Sequence, residues 1–165
     1  MKFKELILFC LFTFCNFSLL NSQTDCAFKN DTLFIPKENK VINARYLQTT
    51  FKNKTNFFLY KGNNNKCYIK FVVIENLYFG KIDLLELKSG TKSFYLKEAT
   101  HYQLDKNTGY YLLEIYKNYI GTLKENGLTA IQFGKAETIY TKQDCNQVKQ
   151  IAKCFYENID TKTAN

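Results

Sequence analysis

Apolar and polar positions follow a two-residue period along most of the chain. In residues 110–116, Tyr110, Leu112, Glu114 and Tyr116 share one face of an extended strand, and Tyr111, Leu113 and Ile115 share the other. Similar runs fall at 32–36, 40–51, 56–61, 66–79, 81–88, 91–97, 101–104, 128–133 and 137–140. Pro36 ends the first or confines it to a sheet edge. Residues 62–65, Gly-Asn-Asn-Asn, supply a turn whose residues tolerate positive φ. Ser89-Gly90 joins two apolar runs as a hairpin, and 66–79 is long enough to require a bend near Glu75-Asn76.

The period lengthens after residue 116. Tyr116, Ile120 and Leu123 fall at i, i+4 and i+7 before Asn126-Gly127, which predicts a short helix over 117–126 with a weak point at Gly121. A second helix, 142–157, opens with Thr141 as cap and Asp144 three residues on. Val148, Ile151, Ala152, Phe155 and Ile159 mark its buried face. About eight or nine short strands joined mostly by hairpins, with helices gathered at the end, predict an α+β fold. It consists of a mostly antiparallel sheet with the C-terminal helix packed on it.

The first residues belong to a different pattern. Lys2 and Lys4 precede the apolar run 6–20, which is shorter than the roughly 20 residues of a membrane span. Small Ser22 suits cleavage before Gln23. The expectation is a signal peptide, 1–22, and one domain, 23–165, that is secreted or periplasmic and has no transmembrane span.

Export changes the meaning of the cysteines. Cys26, Cys67, Cys145 and Cys154 remain after cleavage, enough for two disulfides. Cys145 and Cys154 are nine residues apart on one helix, about 13 Å along its axis, too far to bridge. Any bridge therefore ties the helix to Cys26 or Cys67, and Cys26 is favoured because a loose N-terminal lead-in gains most from being tied down. By angular count, Cys145 lies about 60° and Cys154 about 120° from the centre of the helix's apolar face.

Charge adds less than its size suggests. The formal net charge is +8, but of the 23 basic residues only Arg45 is an arginine. Lys, Asn, Phe, Tyr and Ile, all with AT-rich codons, make up 78 of the 165 residues, so base composition accounts for much of the lysine. Nucleic-acid readers draw on arginine for bidentate contacts, and one arginine argues against that class.

Catalytic and ligating material is thin. His101 is the single histidine and reads as an ordinary strand residue, Ser89 as a turn residue, and no nucleophile elbow surrounds Ser89 or Ser93. The cysteine spacings of 41, 78 and 9 match no zinc pattern, so neither a metal nor a cofactor is assigned. Asn30-Asp31-Thr32 and Asn53-Lys54-Thr55 are glycan acceptor triplets of the kind an asparagine-rich chain contains by chance.

Two features remain. Glu75, Glu86 and Glu114 lie in strands, and Glu114 between tyrosines either acts as an acid in a sugar-binding groove or pairs with a cross-strand lysine; the pairing is favoured. Twelve tyrosines, with Tyr110, Tyr111, Tyr116 and Tyr119 inside ten residues, offer apolar area with polar tips. The reading is an exported non-catalytic domain that binds a protein or glycan partner, or is structural at the cell envelope. Tyr110, Tyr116, Tyr119 and Glu114 are its candidate binding residues. The alternatives are a small glycan-directed hydrolase using strand carboxylates and a binder of small apolar ligands.

Overall fold

A computed structural model describes residues 26–74, 84–97, 99–105, 108–134 and 136–160. The expected signal peptide and the bend near Glu75-Asn76 lie outside these residues. The elements run β1 (Lys29–Ile35), β2 (Lys40–Thr50), β3 (Asn56–Gly62), β4 (Cys67–Ile74), β5 (Leu84–Ser89), β6 (Lys92–Lys97), β7 (Thr100–Gln103), β8 (Thr108–Glu114), α1 (Lys117–Asn126), β9 (Ala130–Phe133), β10 (Ala136–Ile139) and α2 (Lys142–Asn158). A single 3-10 turn, Pro36–Glu38, follows β1. The fold is α+β, every strand pair is antiparallel, and α2 closes the chain.

Ten strands are present among the described residues rather than eight or nine, and they form two sheets rather than one. The larger has the order β1-β2-β3-β4-β8-β7, the smaller β10-β9-β5-β6. Local pattern finds strands but not partners. Here β4 passes over its successor β5 and pairs with β8, placing Ile69 opposite Leu113 and Phe71 opposite Tyr111. The β5–β6 hairpin turns at Gly90-Thr91, one residue later than the Ser-Gly reading, with Gly90 at φ 62°. Ser89 is consequently not a turn residue. It is fully buried, and its hydroxyl donates to the Gly127 carbonyl at 2.5 Å, fixing the hairpin to the end of α1.

The main core lies between the two sheets and the helices. Leu47, Leu59, Ile69 and Leu113 face it from the large sheet, Leu85 and Leu87 from the small one, and Val148 and Phe155 from α2. Tyr111 of β8 meets Phe133 of β9 with ring centroids 5.2 Å apart. The helices pack so closely where Gly127, at φ 70°, follows α1 that a Cβ there would collide with the Cys145 carbonyl.

Strands β3 and β4 are apolar on both faces, the mark of strands covered on both sides. Their second face carries a smaller cluster of Leu33, Ile35, Ile42, Tyr60, Tyr68 and Leu112. The bridge Cys26–Cys154 ties the N-terminal segment to α2, with Cα atoms 5.5 Å apart. It is the favoured Cys26 link. The angular count placed Cys145 nearer the buried face, yet Cys154 is the buried one and Cys145 is half-buried. The segment around Cys26 and Phe28 lies along that flank of α2, with Phe28 5.8 Å from Phe155, and so buries residues that the helix's own apolar stripe leaves outside.

Candidate functional site

The second face of the large sheet forms a trough. Strand register sets its floor in rows: Lys29, Tyr46, Tyr60, Tyr68 and Glu114 lie side by side, and the next row holds Gln48, Phe58, Lys70 and Leu112. Strand β1 and strand β8 are four strand spacings apart, roughly 19 Å in a flat sheet. Ile35 and Pro36 nevertheless line the same cleft as Leu112 and Glu114. The sheet must coil for this to hold, with the second face inside the curve.

The cleft occupies the end of the trough and holds about 400 Å³. Its walls are the 3-10 turn with Lys37 and Glu38, Tyr68 of β4, Glu114 of β8, Tyr95 and Lys97 of β6, and Tyr116 and Tyr119 at the start of α1. Each tyrosine is placed by its element. In β6, Phe94 and Leu96 turn into the core, so Tyr95 between them projects outward and is 55% exposed. Tyr116 is the cap residue of α1 and is 64% exposed. Tyr119 stacks on Phe94 at 4.8 Å with an interplanar angle of 8°, which fixes its ring beside the opening. Tyr68 is buried at the back, and its hydroxyl accepts from Asn64 Nδ2 at 2.7 Å. Burial pushes the Tyr68 phenol up, with the Asn64 hydrogen bond opposing, so it remains a neutral hydroxyl.

Two carboxylates share one ammonium at the rim. Lys66 Nζ lies 3.0 Å from Glu114 Oε2 and 3.4 Å from Glu38 Oε1. Hydrogen bonds to Glu114, then to Glu38, raise the Lys66 pKa, so the triad keeps its positive member at neutral pH. A glycosidase pair needs one carboxyl group that carries a proton and another that does not. Here both carboxylates are occupied with the same cation, an arrangement that accepts hydrogen bonds and balances charge.

Of the four candidate residues, Glu114, Tyr116 and Tyr119 come together in this cleft. Tyr110 shares their sheet face but lies outside the lining, four residues before Glu114, stacked on Tyr102 at 5.6 Å. His101 is half-buried on β7, away from the cleft. Cys67 is a buried thiol of the main core. Sequence reasoning missed Tyr68, Tyr95, Glu38 and Lys66. The outward parity of Tyr95 in the 91–97 run was a usable signal. The meeting of Glu38 with Lys66 was not, because it depends on the coiling of the sheet. Among the described residues, no three metal-ligating side chains come together, and no helix is long and apolar enough to cross a membrane.

Compared with the models of known protein families, with curated proteins and with solved structures, the chain matches none.

Proposed function

We propose that this is an exported, non-catalytic binding domain that takes a glycan segment in the tyrosine-walled cleft. The carrying observation is the convergence of exposed Tyr95 and Tyr116 with ordered Tyr119 around a cleft rimmed by Glu38, Glu114, Lys37 and Lys97. Sugar rings offer an apolar C–H face and a fringe of hydroxyls. Tyrosine rings supply the flat partner for the first, and carboxylates and ammonium groups supply acceptors and donors for the second. The cleft volume falls within the range of small-ligand sites. The bridge between Cys26 and Cys154 supports export, since disulfides persist in oxidising compartments.

Titration of the protein with a panel of soluble oligosaccharides, followed by NMR or calorimetry, tests this reading. At least one member binds, and Tyr116→Ala and Tyr95→Ala each weaken it by on the order of tenfold or more without lowering the melting temperature. Failure of every oligosaccharide to bind at millimolar concentration overturns it. The two carboxylates favour one rival, the hydrolase. Cleavage of a bound oligosaccharide that Glu114→Gln abolishes would replace the binding reading with that one.

A further inference from the structure

The trough continues past the cleft. Along β8, Glu114 and Leu112 give way to Tyr110, roughly 14 Å from Glu114 at strand rise, and the Tyr110 ring stacks on half-exposed Tyr102 of the edge strand β7. Lys70 stands in the middle of this floor. Its ammonium lies 4.5 Å from the Tyr110 ring centroid, 5.7 Å from that of Phe58 and 6.0 Å from that of Tyr60. Strand parity explains the position: on β4, Ile69 and Phe71 turn into the main core, so Lys70 between them faces the trough.

This lysine differs from Lys66 at the rim of the cleft, which is paired with Glu114 and Glu38. No carboxylate among the described residues forms an ion pair with Lys70; Asp31 acts on it only at longer range, and Asp31 Oδ1 accepts the Thr32 N–H at 2.8 Å. A cation half-withdrawn from water that meets aromatic faces but no carboxylate at ion-pair distance is incompletely compensated. An anionic group brought by a ligand would complete it with a charge-assisted hydrogen bond. The net charge of +8 favours the approach of such a ligand.

We infer that the trough binds an acidic oligosaccharide lengthwise, its neutral end in the cleft and a carboxylate- or sulfate-bearing sugar at a second subsite built from Lys70, Tyr110 and Tyr102. The inference rests on the glycan reading of the cleft and adds the ligand's length and charge. Single-stranded nucleic acid also combines stacking rings with negative charge. The oligosaccharide is favoured because the protein reads as exported and its one arginine, Arg45, is committed to α2, on the opposite face.

Calorimetry at about 150 mM salt, near physiological screening, with hexasaccharides of hyaluronan (carboxylate), heparin (sulfate) and chitin (neutral) tests it. At least one acidic hexasaccharide binds on the order of tenfold more tightly than the neutral one. Lys70→Met removes that preference, and Tyr102→Leu weakens hexasaccharides while leaving disaccharides unchanged. Lys149→Met, at an exposed position on α2, leaves the preference intact. Thermal melts establish that each variant folds, and Tyr102→Leu carries the test if Lys70→Met does not. Equal binding of acidic and neutral hexasaccharides overturns the inference. So does a loss in Lys149→Met as large as in Lys70→Met, or tighter binding of oligodeoxythymidylate than of any oligosaccharide. If Tyr116→Ala abolishes binding while Lys70→Met keeps the acidic preference, the cleft reading stands and the second subsite falls. If no oligosaccharide binds, the glycan reading falls as well.

Discussion

Arg45 shows how a single residue can account for a compositional oddity. Its Nη2 donates to the Asn158 carbonyl at 2.6 Å and to the Ile159 carbonyl at 3.4 Å, and its guanidinium lies 4.7 Å from the Phe28 ring centroid. It thus satisfies the open carbonyls at the end of α2, opposes the negative end of the helix dipole and covers an aromatic face. Lysine has neither the fork nor the plane for these three tasks. Arg45→Lys is therefore expected to lower stability measurably in urea melts, and Arg45→Ala by about 1.5–3 kcal/mol, the usual cost of a charged hydrogen bond. A neighbouring contrast tests the face assignment on β8. Leu113 is buried in the main core, while Glu114 is exposed and paired with Lys66. Leu113→Ala should cost about 2–5 kcal/mol, and Glu114→Gln far less. Equal losses in denaturant would mean that the two faces of β8 are misassigned.

At the scale of elements, α2 was the most legible part of the chain, because its signals are local. Thr141 accepts from the Asp144 N–H at 3.2 Å, and the Asp144 carboxylate accepts from the Thr141 N–H at 3.1 Å, completing the capping box read from their spacing. The spacing could not show that Asp144 also accepts from the Lys52 N–H at 3.0 Å, which fastens the helix start to the β2–β3 loop. Burial opposes the charged form of Asp144, but hydrogen bonds from the Thr141 hydroxyl, the Lys52 N–H and the Thr141 N–H outweigh it and hold the carboxyl below its ordinary range. The folded-state pKa is thus depressed. Its contribution to stability is present above the unfolded carboxylate value, near 4, and is lost as pH falls through the folded value. Melts of the wild type should therefore show a drop in stability as pH falls below about 4 that Asp144→Asn reduces. Thr141→Ala should cost about 0.5–2 kcal/mol at neutral pH. An unchanged acid limb in Asp144→Asn would remove this carboxylate from the account.

For the whole molecule, legibility stops where contacts become long-range. The period-two runs located strands to within a few residues, and the faces of β8 were correct, which is why Glu114 and Tyr116 were singled out without a structure. The second sheet and the coil that brings Glu38 to Lys66 depend on partners distant in sequence, and local periodicity carries no information about them. The disulfide lies between these cases. Helix geometry excluded Cys145–Cys154 and the loose N-terminal lead-in favoured Cys26, but the choice of Cys154 was set by the N-terminal segment lying along α2. That bridge spans 128 residues of sequence and so closes nearly the whole described chain into one loop. Restricting so long a loop in the unfolded state is worth about 2–5 kcal/mol on the chain-entropy account, a large share of a domain's stability. Cys26→Ser is therefore expected to lower the free energy of unfolding in denaturant melts by that amount, and dithiothreitol should lower the wild type to the level of the variant without affecting the variant further. Cys67 and Cys145 remain thiols, and burial raises the pKa of both, so neither offers much thiolate at neutral pH to exchange with the bridge. Non-reducing peptide mapping should accordingly join the Cys26 peptide to the Cys154 peptide alone. A Cys26–Cys145 peptide would move the tie to the other cysteine of α2, and a Cys26–Cys67 peptide or a melt indifferent to reductant would show that α2 is held by its apolar face and Arg45 without the covalent tie.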